Sequence, residues 1–309
     1  MNTSSNEIWK APLNPGPFES RSHRFRVEMR PVFFQWLGIA PDSRVLDGGC
    51  GSGVFTRYLA KGLKGGHITG FDINEGFIAY GKQKAAELGL QDRMTLEIAD
   101  GFALGYADDL FDAVTNYTYI GVLSDPEAGM RELIRVCKPG GVVSCVDASN
   151  AIPYAFWQGG YPFEGAAELQ RLARLENVIF GSFARNPADW KQPAAWGPQR
   201  TPELFALCGL QNIHVYPFGH LICYSDEAFP LAYRKQLAID ETREEIDWLE
   251  SRYAGKEKIY AAHGFSAEDY GTLQRLLARK LEYIKQNFET DKSYEWHGGF
   301  NTIVTGQKR

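Results

Sequence analysis

The chemistry legible in this 309-residue chain lies in one glycine run and three acidic residues, each acid standing where a short apolar stretch ends. The run is Val45-Leu46-Asp47-Gly48-Gly49-Cys50-Gly51-Ser52-Gly53. Glycines at alternate positions let the backbone turn sharply and let a ligand approach it without interference from Cβ atoms. Loops of this kind also serve dinucleotides, and the acid in front of the run separates the two cases. A carboxylate there would repel a pyrophosphate seated on the following helix, whereas it suits a ligand carrying a positive amino group. Gly70-Phe71-Asp72-Ile73-Asn74 places the next acid where one carboxylate can accept two hydrogen bonds from a ribose diol. Ala99-Asp100-Gly101-Phe102 offers a third carboxylate to an exocyclic amine, with a flat ring available beside a purine. Read in order, the three segments describe a ligand made of an amino acid, a ribose and an adenine. The residues predicted to touch it are Asp47, Gly49, Cys50, Gly51, Gly53, Asp72, Ile73, Asp100, Gly101 and Phe102.

These groups need a scaffold that brings strand ends together, and the chain's alternation supplies one. Strands are predicted over 44–47, 67–72, 94–99, 111–116 and 142–146, with helices over 55–62, 76–88 and 127–136 between them and Pro139, Gly140 and Gly141 as a turn. Such alternation implies a doubly wound α/β domain, because each crossover helix must pack back on a mostly parallel sheet. Upstream, Phe25, Met29, Val32, Phe33 and Trp36 recur at helical spacing and predict one helix from Ser20 to Leu37, stopped by Gly38. Downstream, a helix over 201–207 and strands over 212–216 and 300–305 complete a seven-stranded sheet. Two long helices are predicted over 225–253 and 266–288, the second opened by the capping-box spacing of Ser266 and Asp269. The chain therefore divides into an arm and helix (1–40), a ligand-binding core (41–150), an aromatic-rich insertion (151–200), a return to the core (201–219), a helical insertion acting as lid or dimerisation surface (220–296) and a closing strand (297–309).

From Arg44 to Asp147, together with the closing strand, the sequence resembles the class I S-adenosylmethionine-dependent methyltransferases. Asp47, Gly49, Gly51 and Gly53 match the glycine-rich motif of that family, Asp72 its ribose acid and Asp100 its adenine-side acid. Phe111-Asp112-Ala113-Val114 and the residues after it, including Asn116, correspond to the segment that runs under the methionine part of the cofactor, and Lys138-Pro139-Gly140-Gly141 precedes the fifth strand as in relatives. The similarity is greatest to small-molecule enzymes of the quinone- and sterol-biosynthesis type. It implies S-adenosyl-L-methionine as cofactor and direct SN2 transfer to a small acceptor, in which the protein aligns the nucleophile and excludes water. The same scaffold also serves RNA and protein methyltransferases and S-adenosylmethionine-binding proteins that do not methylate.

One departure concerns the base. Relatives often carry histidine before the turn that corresponds to Ile120-Gly121-Val122-Leu123-Ser124-Asp125-Pro126, and none stands here. His220 and Tyr119 are the remaining catalytic candidates, and Tyr117, Tyr119 and Trp157 are read as substrate lining. The formal charge of −5 argues against a duplex nucleic-acid partner, which favours a basic excess. No run reaches the roughly 18 apolar residues of a membrane span, and the five cysteines show neither CxxC pairing nor metal-ligand spacing. A cytoplasmic enzyme without a metal, acting on a small molecule and pairing through its long helices where these serve as an interface, is the expectation.

Overall fold

The structure, a computed structural model, describes residues 10, 19–148, 163–183, 200–223, 229–290 and 296–309. The chain falls into two compact units. One comprises Met1–Pro153, Lys191–His220 and Gly299–Arg309, the other Tyr154–Trp190 and Leu221–Gly298.

The first unit is built on a seven-stranded sheet: β1 (Arg44–Gly48), β2 (His67–Asp72), β3 (Met94–Ile98), β4 (Phe111–Tyr117), β5 (Cys137–Ala148), β6 (Gln211–Cys223) and β7 (Trp296–Gln307). Their order is β3-β2-β1-β4-β5-β7-β6. Strands β1 to β5 pair parallel, and β7 runs antiparallel to β5. The connecting helices are α1 (Arg30–Trp36), α2 (Val54–Ala60), α3 (Glu75–Glu87), α4 (Pro126–Val136) and α6 (Thr201–Leu207). Side chains alternate across the strands, so Val45 and Ile303 enter one core layer with Phe33, Phe55 and Leu59, while Leu46 and Val304 enter the other with Phe71, Phe111 and Leu133. Both faces of the sheet are thus covered, as a parallel sheet requires. The strand order reverses at β1, between β2 and β4, and such a reversal opens a crevice at the carboxyl ends of the strands.

Two helices begin where local chemistry dictates. Asn74 accepts from the Phe77 amide at 3.0 Å to cap α3, and Asp125 accepts from the Ala128 amide at 2.9 Å ahead of Pro126 in the first turn of α4.

Several predicted elements differ in the structure. The single helix expected over 20–37 is broken into 3-10 turns at Ser20–Arg24 and Val27–Met29 followed by α1. Pro31 explains the break: it lacks the N–H that a continuing helix needs and its ring crowds the carbonyl four residues back, so it sits in the first turn of a new helix. Strand β5 starts at Cys137, ahead of the predicted glycine turn, and its partners shift from Phe111–Cys137 to Ala113–Val142, so the Lys138–Gly141 segment forms a bulge.

The second unit is helical: α5 (Ala166–Phe183), α7 (Leu231–Tyr253), α8 (Glu257–Ala262) and α9 (Ala267–Asn287). Helix α5 lies in the stretch read from sequence as an aromatic-rich insertion. Its Leu169 and Leu172 join Leu249, Tyr253, Tyr260 and Leu276 in one core, and Glu176 is buried there by the Tyr260 hydroxyl at 2.8 Å and the Arg252 guanidinium at 3.3 Å. The predicted Ser266–Asp269 capping box is formed at the start of α9. Among the described residues no helix is long and apolar enough to cross a membrane, and no group of metal-ligating side chains assembles.

Candidate functional site

The carboxyl ends of β1 to β4 surround a cleft of about 230 Å³ in the first unit. Its floor starts at Asp47, the penultimate residue of β1, which the flanking strands bury completely. One carboxylate oxygen, Oδ2, accepts from the Thr56 hydroxyl of α2 at 2.6 Å. The other, Oδ1, is buried without a hydrogen-bond partner among the described residues. Burial opposes the charged form and pushes the Asp47 carboxyl up to about 7; the Thr56 hydrogen bond offsets part of this and the charge of Asp72 adds to it. A buried carboxylate with an unpartnered oxygen, on a residue that lines the cleft, is suited to a cation that brings its own N–H donors.

The glycine run turns immediately beyond. Gly49 and Gly53 adopt φ of 61° and 80°, a left-handed conformation that other residues reach only with strain. The loop is tied to the end of β2 by two bonds, Cys50 N–H to the Phe71 carbonyl at 2.8 Å and Gly51 N–H to Asp72 Oδ2 at 2.9 Å. Asp72 Oδ1 accepts from the Asn74 amide at 2.8 Å. Burial raises the Asp72 carboxyl while these backbone donors oppose the rise. Each of its oxygens retains a second lone pair, so the carboxylate is oriented by the backbone and still able to receive a diol. At the end of β3, Asp100 is exposed and accepts from the Phe102 amide at 3.0 Å, which fixes the turn carrying Gly101 and Phe102. The Cys50 thiol is held in its protonated form by burial and by the charges of Asp47 and Asp72, which removes it as a nucleophile.

From β4 come Tyr117 and, just past the strand, Thr118 and Tyr119. The Tyr117 hydroxyl accepts from Arg24 Nη1 at 2.9 Å. Arg24 belongs to the Ser20–Arg24 turn, which also contributes Arg21 to the cleft. An ion pair fastens this turn to the glycine loop: Glu19 receives two hydrogen bonds from Arg57 Nη2, both at 2.7 Å, and one from the Ser52 hydroxyl at 3.2 Å, while Arg57 Nη1 donates to the Ser52 carbonyl at 2.6 Å.

Of the predicted residues, the structure brings Asp47, Gly49, Cys50, Asp72, Ile73, Asp100, Gly101 and Phe102 to the cleft wall, with Tyr117 and Tyr119. Gly51 and Gly53 shape the loop without lining the cleft. Asn116 is fully buried and turned away, its amide donating to the Ser144 carbonyl and to Cys145 Sγ, both at 3.0 Å, so it serves the β4–β5 pair. The backbone of His220 lies in β6, and its side chain falls outside the described residues, as does all of Trp157. Sequence reasoning missed Arg21, Ser52, Phe55, Phe77 and Leu123, which also line the cleft. Only Ser52 and Phe55 carried a signal, by lying within or beside the glycine run.

A family profile described as a methyltransferase domain matches residues 45–141, which hold all three strand-end acids. Demethylmenaquinone methyltransferase of Bacillus mycoides is 29% identical over 216 residues, 65% of this chain and 88% of the relative. Residues 45–141 are a methyltransferase domain, and with this relative they support a class I S-adenosylmethionine-dependent methyltransferase. Methyltransferase GfsG of Streptomyces halstedii is 28% identical over 139 residues, 45% of this chain and 48% of that protein. Among solved structures, the phosphoethanolamine N-methyltransferase 2 of Haemonchus contortus in complex with S-adenosyl-L-methionine aligns over 99% of this chain and 60% of its own, with a TM-score of 0.50 and 17% identity. That likeness speaks to the fold. The methyl donor of such enzymes, S-adenosyl-L-methionine, would suit these carboxylates in charge: its ammonium would meet the unpartnered Oδ1 of Asp47, and its ribose diol the oriented carboxylate of Asp72.

Proposed function

We propose that this methyltransferase moves the methyl group of S-adenosyl-L-methionine to a small-molecule acceptor in the cytoplasm, with Asp47, Asp72 and Asp100 holding the donor's ammonium, ribose and adenine. The observation that carries the reading is the fully buried Asp47 with its unpartnered Oδ1, in a cleft where two further carboxylates follow at neighbouring strand ends. Bound there, the donor supplies a methyl already activated by a sulfonium, so the chain need not generate a strong electrophile. Its own task is alignment and the exclusion of water. The Glu19–Arg57 pair keeps the Ser20–Arg24 turn, whose Arg21 lines the cleft, against the glycine loop. Tyr117 presents an aromatic face with a hydroxyl fixed by Arg24, a combination that orients a flat acceptor through its ring and one polar substituent. The demethylmenaquinone methyltransferase relative supports an acceptor of this flat, apolar type. The formal charge of −5 supports a small molecule over a nucleic acid.

Calorimetric titration of the purified chain with S-adenosyl-L-methionine, repeated with Asp72→Ala, tests the donor site. Micromolar binding that weakens at least about tenfold in the variant is expected, since a carboxylate shared by two hydroxyl donors contributes on the order of 1.5–3 kcal/mol. Release of S-adenosylhomocysteine on mixing with a panel of hydroquinones and phenols then tests the acceptor class. Absence of donor binding by the folded wild type refutes the function.

A further inference from the structure

We propose that Tyr119 is a displaceable occupant of the donor cleft: its ring fills space that the nucleoside of the methyl donor requires, and it must swing out before the donor can seat. The proposal rests on the donor reading of this cleft given above.

Its geometry comes from two glycines on facing walls. A Cβ built on Gly49, in the loop after β1, would collide with the Tyr119 ring, and a Cβ built on Gly101, in the turn after β3, would collide with its hydroxyl. The ring therefore bridges the cleft from the loop wall to the β3 wall, packed edge-on against Phe71 with centroids 5.9 Å apart and planes at 89°. Asp72 and Asp100 both act electrostatically on the Tyr119 hydroxyl. A side chain in contact with both walls leaves no slot between them for a second flat group. The space remaining, about 230 Å³, falls below the roughly 300–1,000 Å³ of pockets that enclose ligands.

The seat is also a poor one for tyrosine. Its hydroxyl is buried with no hydrogen-bond partner among the described residues, a loss that hydration on the outside would restore. The preceding Thr118 holds φ at 52°, a left-handed conformation that a β-branched residue adopts only under strain. The residue as a whole is half-buried, so the ring has an open side, and Gly121 follows in the short 3-10 turn Ile120–Val122. Strain before the ring, an unsatisfied hydroxyl at its tip and a short turn behind it describe a side chain set to move. The apparent donor affinity is then the intrinsic affinity multiplied by the fraction of molecules in which the ring is out.

Two substitutions separate this role from the alternatives, because they act in opposite directions. Tyr119→Ala abolishes the occupant and is expected to bind S-adenosyl-L-methionine and S-adenosylhomocysteine about tenfold tighter, the gain when an occluded form of ~90% population is removed. Tyr119→Phe keeps the ring and deletes the unsatisfied hydroxyl; it stabilises the occluded form and is expected to bind about threefold weaker, with a raised melting temperature for the free protein. Calorimetry with both ligands and stopped-flow association rates are the readouts, and the Phe variant alone decides the matter where the Ala variant does not fold. Weaker binding by Tyr119→Ala, or unchanged or tighter binding by Tyr119→Phe in a wild type that binds the donor, overturns the proposal and makes the ring an ordinary contact. Absence of binding by all three folded proteins overturns the donor reading itself.

Discussion

Asp47 ties the stability of the free protein to its affinity for the donor, and the two respond to pH with opposite signs. In the folded, empty protein its carboxyl titrates at about 7, raised from 3.8 chiefly by burial. A raised folded-state value means that stability is fully present below the unfolded value near 3.8 and is lost as pH climbs through 7. At about 1.36 kcal/mol per pH unit of displacement, the charged form costs the empty protein about 4 kcal/mol at pH 8. Asp47→Asn removes that penalty and keeps an acceptor for the Thr56 hydroxyl, while its buried amide donors lack partners at a cost of about 1–3 kcal/mol. The variant is therefore expected to be more stable than wild type by about 1–3 kcal/mol at pH 8 and to lose that advantage by pH 5, where Asp47 is neutral. Urea denaturation at the two pH values measures this.

Donor binding runs the other way. Between pH 6 and pH 8 the ionised fraction of a group titrating near 7 rises from about one tenth to about nine tenths, so the wild-type association constant is expected to rise about tenfold while the asparagine variant stays weak. Titration of the ligand's own amine cancels in the comparison of the two proteins. A variant whose affinity has the same pH slope as wild type, or whose empty form is no more stable at pH 8, would refute the assignment of Asp47 as a buried counter-charge awaiting a cation.

Two further outcomes follow from the strap over the glycine loop and from the ring beside it. Arg57→Ala removes a buried guanidinium bound to Glu19 and to the Ser52 carbonyl, and a loss of about 2 kcal/mol is expected in urea denaturation, with amide exchange accelerated at 19–24 ahead of the central strands. Arg57→Lys should recover less than half of that loss, because one ammonium cannot serve both Glu19 and the Ser52 carbonyl as Nη2 and Nη1 do. Tyr117→Phe deletes the hydroxyl that accepts from Arg24; donor affinity should stay within about twofold while acceptor kcat/KM falls about tenfold, a split that initial-rate kinetics resolves.

The parts of this site that a reader of the sequence can find are those built by contiguous residues. Asp47 and the glycine run, Asp72 at the end of β2 and Asp100 at the end of β3 are each encoded by a short strand and the turn that ends it. The mostly parallel seven-stranded sheet follows from the same alternation, whereas the place of β7 between β5 and β6 does not. Arg21 reaches the cleft through an ion pair between Glu19 and Arg57, 38 residues apart, and no local pattern announces such a pair. Asn116, read as a cofactor contact, does not line the cleft, because strand neighbours face opposite sides: Tyr117 lines it, and the Asn116 amide donates toward β5, to the Ser144 carbonyl and Cys145 Sγ. Helix α5 was hidden by the Gly- and Pro-rich residues around it, although Leu169, Leu172 and Ile179 lie at helical spacing.

Gly49 and Gly101 mark the limit of this kind of reading. Their lack of a Cβ says that something must come close to the backbone at both positions, and the glycine motif assigns that closeness to a ligand. In the folded chain the group that comes close is Tyr119, whose own position is set by the end of β4 and by the strained Thr118 before it. A glycine in a sequence thus reports a space and leaves its occupant open, since the same space can be held by a side chain in one state of the protein and by a ligand in another. Which occupant wins is a difference in free energy between two folded states, and local residue types carry that difference only through contacts the fold alone creates.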